Sequence, residues 1–311
     1  ECFADIAEEV ARFYGYDKIP VSLPTGEATT GKLSFKLRIE QKARDIAEYC
    51  GFSQGMCYSF ESPKVFDKLL IPQEDVLRRT VSLNGMLTSL STNYNRRNKE
   101  VRLYELGNIY IPEELPLTKL PEERMQFTLG MYGEGDFYTM KGVVEEFFDS
   151  IGMKKKAGYQ PESGKPFLHP GRQADIVYEG KTVGYLGEVH PEVCDNYDIG
   201  TKVYVAVLDM PEVIPYATFD RKYEGIAKYP AVSRDISMVV PKNILAGQIE
   251  AVIAQRGGKI LENYWLFDIY EGEQIKEGFK SMAYSITFRA KDKTLEENDI
   301  TAVMKKILNG L

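Results

Sequence analysis

The sequence predicts an α+β protein in which a largely antiparallel sheet with packed helices is followed by a smaller split βαβ domain. Three observations carry this. Between about residue 27 and residue 215, strand-like runs of alternating apolar and polar residues outnumber helical ones and are joined by short turns. The helices among them are amphipathic and stop at glycine. After a linker punctuated by Pro and Gly, "PYATFDRKYEGIAKYP", the elements read β-α-β-β-α.

The first element is "DIAEEVARFYGYDKIP", residues 5–20, where Ile6, Val10 and Phe13 fall at helical spacing and Gly15 and Pro20 end the run. Asp5, Glu8 and Glu9 stand at i, i+3 and i+4, so their carboxylates share one face. Like charges at that spacing cost roughly 0.2–0.5 kcal/mol per pair. Such a cluster either faces water near a helix N-terminus, where the dipole favours anions, or meets a hard cation or a basic partner.

In the body, "SFKLRIEQKARDIAEYCGF" predicts a helix with Leu37, Ala43, Ile46, Ala47 and Cys50 as its apolar stripe and Gly51 as its stop. "VRLYELGNIYI" and "MQFTLGMY" alternate as strands do. "DFYTMKGVVEEFFDSIG" is a second helix, with Val143, Val144, Phe147 and Phe148 inward and Gly152 at its end. "QADIVYEGKTVGYLGEVHPEV" is a hairpin turned at Glu179-Gly180-Lys181, and "KVYVAVLDM" closes the body.

Beyond the linker, "RDISMVVP" is a strand with Ile236, Met238 and Val240 on one face. "ILAGQIEAVIAQRGG" is a helix with Leu245, Ile249, Val252 and Ile253 inward. "ILENYWLFDIYEG" and "SMAYSITFRAKD" are strands, the latter with Met282, Tyr284, Ile286 and Phe288 on one face. A capping box of Thr294 and Glu297 opens a last helix carrying Ile300, Val303, Met304, Ile307 and Leu308. This order is the ferredoxin-like plan, which calls for a fourth strand after the second helix. The chain stops at Leu311, so that strand is expected to be cut off or disordered.

Composition sets bounds. The 311 residues are 27% charged and 43% hydrophobic, the profile of a soluble globular protein with two or more domains. No apolar run approaches the length of a membrane span. The chain opens on Glu1 and reads as helix at once, which suggests a fragment or a missing start. Cys2, Cys50, Cys57 and Cys194 show no C-x-x-C spacing and read as free thiols of a reducing cytosol. The net charge of -7 is uneven: residues 219–311 carry 14 Lys and Arg against 13 Asp and Glu, and the remainder 25 against 33. The acidic part should repel a polyanion and the C-terminal part should not, so any nucleic-acid surface is expected in the latter.

Catalytic patterns are thin. The two histidines, His169 and His190, lie in "HPGRQADIVYEGKTVGYLGEVHP", with Arg172 and Glu188 between them. Glu188 and His190 have the types of an acid–base pair, but no nucleophile pattern accompanies them. There is no P-loop, G-x-S-x-G or H-E-x-x-H. His-Pro pairs at strand ends commonly fix a turn through an imidazole–backbone bond, and that is the reading adopted. A stand-alone enzyme, or a small-metabolite module, around His169, Arg172, Glu188 and His190 is the alternative.

The motifs resemble, in family order, the C-terminal half of the β subunit of bacterial phenylalanyl-tRNA synthetase. "DIAEEVARFYGYDKIP" is similar to the close of its B5 domain. "LRIEQKARDIAEYCGF", "YSF", "RLYELGNIY", "FYTMKGVVEEFF" and "HPGRQADI…GYLGEVHP" are similar to its class II synthetase-like module. "KYPAVSRDISMVV" and "FRAKDKTLEENDI" resemble its ferredoxin-fold anticodon-binding domain. The resemblance implies domains over 1–24, 25–218 and 219–311. It also implies a class II fold without aminoacylation chemistry, which in that family belongs to the α subunit. The residues agree, since no G-x-G-x-x-R occurs and "GMYGEGDFY" has Asp136 and Phe137 where a cation is wanted.

The resemblance further implies partnership with α as an (αβ)2 heterotetramer that charges tRNA(Phe) using ATP, in the cytoplasm. It implies Mg²⁺ at Asp5, Glu8 and Glu9, with a further ligand before residue 1, so the site is incomplete here. For the C-terminal domain it implies tRNA contacts, expected at Lys228, Arg234, Arg289, Lys291 and Lys293, because phosphates are what Lys and Arg bind with least geometric demand. Residues 289, 291 and 293 share a strand parity. Tyr264 and Tyr270, expected opposite Trp265 and Phe267, either stack on an unpaired base or belong to the core.

Overall fold

The computed structural model describes residues 2–28, 30–58, 64–71, 82–114, 118–223 and 225–311. Ser59 and Phe60 of the "YSF" motif lie outside these. The chain divides into two compact units, residues 1–38 and 39–311.

In the first unit, α1 (Phe3–Tyr14) ends at Gly15, whose φ of 102° suits a residue without a Cβ. Ile6, Val10 and Phe13 line up along α1 but stay exposed, at 58, 64 and 81%.

The second unit takes in most of α2 (Phe35–Tyr49), which buries Ile39, Ala43, Ile46 and Ala47. Leu37, expected on that stripe, is exposed. It is six residues before Ala43, well off the face that i, i+4 and i+7 define, and Ile39 takes the place assigned to it. The short strand β1 (Ser53–Gln54) and helix α3 (Lys64–Lys68) follow. Helix α4 (Leu83–Asn95) buries Leu83, Met86, Leu87 and Leu90. Sequence reasoning passed over α4 because Gly85 and its Ser, Thr and Asn residues are weak helix formers; its four buried apolar side chains stabilise it instead.

Strands β2 (Val101–Ile111) and β3 (Glu122–Tyr132) precede α5 (Phe137–Ser150), where Asp136 caps the helix by accepting the Thr139 N–H at 2.9 Å. Then come β4 (Gly158–Pro161), β5 (Leu168–Tyr178), β6 (Lys181–Val189), α6 (Pro191–Asn196), β7 (Val203–Asp209) and α7 (Met210–Val213). Glu179 and Gly180 turn the β5–β6 hairpin with φ of 49° and 84°, the left-handed pair a two-residue hairpin needs. The sheet runs β1-β2-β3-β7-β6-β5-β4. Every pairing is antiparallel except β1 with β2. One face packs on α2 residues and α5, the other on α4 and α6.

The C-terminal part has β8 (Val232–Pro241), α8 (Ala246–Gly257), β9 (Leu261–Tyr270), β10 (Phe279–Phe288) and α9 (Glu297–Leu308). Its sheet order is β8-β10-β9, all antiparallel. Among the described residues it has three strands. Met282, Tyr284, Ile286 and Phe288 are fully buried under α8 and α9.

Three details differ from expectation. Leu245 is the residue before α8 and is exposed, as is Leu308 in the final turn of α9. Helix α9 starts later than Thr294: Asp299 reaches back to the Glu296 N–H at 3.3 Å, so the box is Glu296–Asp299. Finally, β10 ends at Phe288, so strand parity does not govern Arg289, Lys291 and Lys293.

All four cysteines are free thiols. Among the described residues no helix is long and apolar enough to cross a membrane.

Candidate functional site

The face of the C-terminal sheet away from α8 and α9 is open. Pairing of Trp265 with Ser285 and of Tyr270 with Ser281 puts both rings on that face. They are 61 and 43% exposed. Phe267 is the extra residue of a bulge between the pairs Tyr284–Leu266 and Ala283–Asp268. Tyr270 thus does not lie opposite Trp265, as strict alternation had it, and Tyr264 instead packs into the core with its hydroxyl pKa raised by burial. The aromatic that sequence reasoning passed over is Trp265; its alternation with Tyr264 and Leu266 was the available signal.

The five expected cations surround this sheet unequally. Lys228 and Lys291 are exposed and have no partner among the described residues. Arg234 donates to Glu297 Oε2 at 2.6 Å. Arg289 donates to Glu262 Oε1 at 2.8 Å and to the Tyr229 carbonyl at 2.8 Å. Lys293 bridges Asp299 at 2.6 Å, which raises the lysine's pKa and lowers the aspartate's. Three of the five are therefore committed to carboxylates of their own chain.

The two histidines are engaged by backbone. His169 Nδ1 accepts the Gly171 N–H at 3.1 Å and His190 Nδ1 accepts the Glu192 N–H at 3.2 Å, the latter capping α6. Between them Arg172 Nη1 donates to both oxygens of Glu188, at 2.9 and 3.0 Å, and the Glu188 side chain is only 5% exposed. Burial and the neighbouring Glu188 carboxylate raise the Tyr204 pKa. Arg172 thus engages both oxygens of Glu188, and His169 and His190 each accept a backbone N–H.

Asp5, Glu8 and Glu9 lie on α1. Asp5 Oδ2 accepts the Cys2 N–H at 2.8 Å, and that bond lowers its pKa. Glu9 is bridged by Arg12 at 2.5 Å. Among the described residues no group of three or more His, Cys, Asp or Glu side chains is arranged to hold a metal. Two of the three carboxylates have other partners, so as folded the trio does not fit a cation.

Residues 19–210 match the family described as phenylalanyl tRNA synthetase beta chain CLM domain, and residues 227–311 match the ferredoxin-fold anticodon binding domain.

This chain belongs to the phenylalanyl-tRNA synthetase beta chain family.

The phenylalanine–tRNA ligase beta subunit of Clostridium tetani (strain Massachusetts / E88) is 40% identical over 323 residues, covering 99% of this chain and 41% of the relative. That of Clostridium acetobutylicum is 40% identical over 324 residues, covering 99% of this chain and 40% of the relative. The chain thus spans about two fifths of the length of these beta-chain relatives. A crystal structure of pyrrolysyl-tRNA synthetase from Desulfitobacterium hafniense aligns with a TM-score of 0.47 at 13% identity, over 58% of this chain and 68% of that one. That likeness is too weak to add to the family assignment.

Proposed function

We propose that the chain is the non-catalytic C-terminal part of a phenylalanine–tRNA ligase beta subunit. Its class II-like body, residues 25–218, supports a catalytic alpha partner in an (αβ)2 enzyme. Its ferredoxin-like domain, residues 219–311, binds tRNA(Phe) near the anticodon, and residues 1–24 close a preceding B5-like domain. The cytoplasm is the matching location. The observation that carries the RNA role is the open sheet face with Trp265 and Tyr270 exposed together. Aromatic rings on an open sheet are the means by which single-stranded bases are stacked and held.

On this reading Lys228 and Lys291 supply phosphate contacts directly, while Arg234, Arg289 and Lys293 do so only by exchanging a carboxylate for a phosphate. ATP is consumed by the alpha partner, since the Arg-bearing motifs of a working class II site are missing here. Mg²⁺ belongs to the assembled enzyme. Coordination by Asp5, Glu8 and Glu9 requires Asp5 to leave the Cys2 N–H and Glu9 to leave Arg12.

The test is phenylalanine-dependent ATP–pyrophosphate exchange. The purified chain is expected to show none, and the assembled alpha–beta enzyme to show it. Exchange by this chain alone, abolished by His169→Ala, would overturn the non-catalytic assignment. An ordered divalent ion on Asp5, Glu8 and Glu9 in the chain alone would overturn the stated metal requirement.

A further inference from the structure

The body of the molecule is acidic, yet one turn of it is not. From the last residue of α4 toward β2 the chain reads "NRRNK", residues 95–99, with no acidic residue among them. Arg96, Arg97 and Lys99 are exposed, and none has a side-chain partner among the described residues. The next acid, Glu100, is taken by Arg102 at 3.2 Å. The contrast with Arg234, Arg289 and Lys293 is direct: those are paired within the chain, and these are not.

The turn is also held firmly. Arg97 adopts a φ of 65° without being glycine, a conformation that persists only where the surroundings enforce it. They do so here. The Arg97 N–H donates to the Tyr94 carbonyl at 2.8 Å and the Asn98 N–H to the Asn93 carbonyl at 3.2 Å. Asn98 Nδ2 donates to Asn93 Oδ1 at 2.8 Å. Buried Tyr132 donates its hydroxyl to the Asn98 carbonyl at 2.9 Å and meets Tyr94 edge-on at 5.8 Å. Lys202, also exposed and without a partner among the described residues, precedes β7 at the same end of the sheet, since Val101 and Val203 both pair with Tyr132.

We infer that the turn Arg96–Arg97–Lys99, with Lys202 beside it, is a second RNA-backbone contact, on the class II-like body and separate from the anticodon-binding sheet. This rests on the tRNA reading given above. A phosphodiester backbone fits better than a protein partner. No large apolar side chain is exposed between Leu83 and Ile111 among the described residues, whereas protein interfaces are built around an apolar or aromatic centre and are depleted in lysine. Unpaired cations on a fixed backbone fit phosphates, which need charge more than shape.

The experiment places R96A/R97A/K99A in the full-length beta chain, assembled with its alpha partner, and measures tRNA(Phe) affinity at several salt concentrations. Each lost phosphate contact lowers the slope of log K against log salt by about 0.7–0.9, so a decrease of roughly 2–3 is expected. The charge-keeping variant R96K/R97K/K99R is expected to retain the wild-type slope. If the wild-type enzyme shows no salt-dependent tRNA binding, the tRNA reading and this inference fall together. If it binds and the alanine variant keeps the wild-type slope, this inference alone falls. In that second case, a lower Tm would assign the cations to the C-terminal dipole of α4, and lost assembly would assign them to the partner chain.

Discussion

Trp265 and Tyr270 are five residues apart in one strand and yet share its open face. An odd spacing should divide them between faces. The bulge at Phe267 adds one residue between them, and their partners Ser285 and Ser281, four apart in β10, confirm the shared side. Trp265 is also the single tryptophan of the chain, so fluorescence excited at the indole edge reports on this face alone. Titration of tRNA(Phe) into the assembled enzyme, with other tryptophans of the complex replaced, is expected to quench it. Base–aromatic stacking contributes about 1–3 kcal/mol per base. Trp265→Ala should therefore weaken binding roughly 5- to 150-fold, while Tyr264→Phe leaves it unchanged. Unquenched fluorescence on a saturated complex would remove this face from the interface.

The cations around the sheet should separate into two groups. Lys228→Ala and Lys291→Ala are each expected to flatten the salt dependence of tRNA binding by about 0.7–0.9, with no change in Tm. Arg289→Ala is expected to do the reverse. It removes bonds to Glu262 and to the Tyr229 carbonyl, and a hydrogen bond to a charged group is worth about 1.5–3 kcal/mol, toward the lower end at this half-open site. Thermal melts and salt titrations of the three variants decide the matter. Equal slopes for Lys291→Ala and Arg289→Ala would show that the internal bridge is given up on binding.

Lys293 and Asp299 make a prediction about pH. The aspartate's pKa is lowered first by the Lys293 bridge and then by the Glu296 N–H, and the lysine's is raised by the same bridge. A depressed carboxylate adds stability that is present above its unfolded value of 3.8 and is lost as pH falls through the folded value. The raised lysine adds stability that is present below 10.5 and is lost as pH rises through its folded value. Lys293→Ala should move the Asp299 titration upward toward, but not up to, the ordinary range, because the Glu296 N–H remains. An NMR titration of the Asp299 carboxyl that does not move would show that the bridge is not formed in solution.

The legible parts of the fold are those where period and punctuation agree. β10 was readable because Met282, Tyr284, Ile286 and Phe288 alternate without interruption and all end fully buried. Helix α5 was readable because Asp136 opens it and Gly152 closes it. Helix α4 was not, because its Gly, Ser, Thr and Asn residues mask a stripe that tertiary packing selects. The open face was half legible: the aromatics were visible, but a bulge leaves no mark in the alternation until its partner strand is known. The pairing of Arg289 with Glu262, 27 residues earlier, likewise needs a sheet to bring the two together.

Gly152 and Gly180 form a matched test of what the chain asks of glycine. Both take positive φ, 78° and 84°. A Cβ at Gly180 would meet nothing within 4 Å, so Gly180→Ala costs only the left-handed conformation, about 1–2 kcal/mol. A Cβ at Gly152 would come to 2.2 Å from the Thr218 carbonyl oxygen and 2.7 Å from Arg221 Nη1. That crowding is where the linker is fastened. The Thr218 N–H donates to the Ile151 carbonyl at 2.8 Å, and Arg221 donates to the carbonyls of Asp149 and Ser150 at 3.2 Å each, satisfying the open end of α5. Backbone oxygen cannot swing aside as a side chain can, so Gly152→Ala adds an overpacking cost of about 1–3 kcal/mol to the conformational one. Denaturant melts should rank Gly152→Ala well below Gly180→Ala. Trypsin should also cut the Gly152 variant sooner at Arg221 and Lys222, because the linker is released from the helix end. Equal stabilities, or equal cleavage rates, would show that the linker is not fastened there.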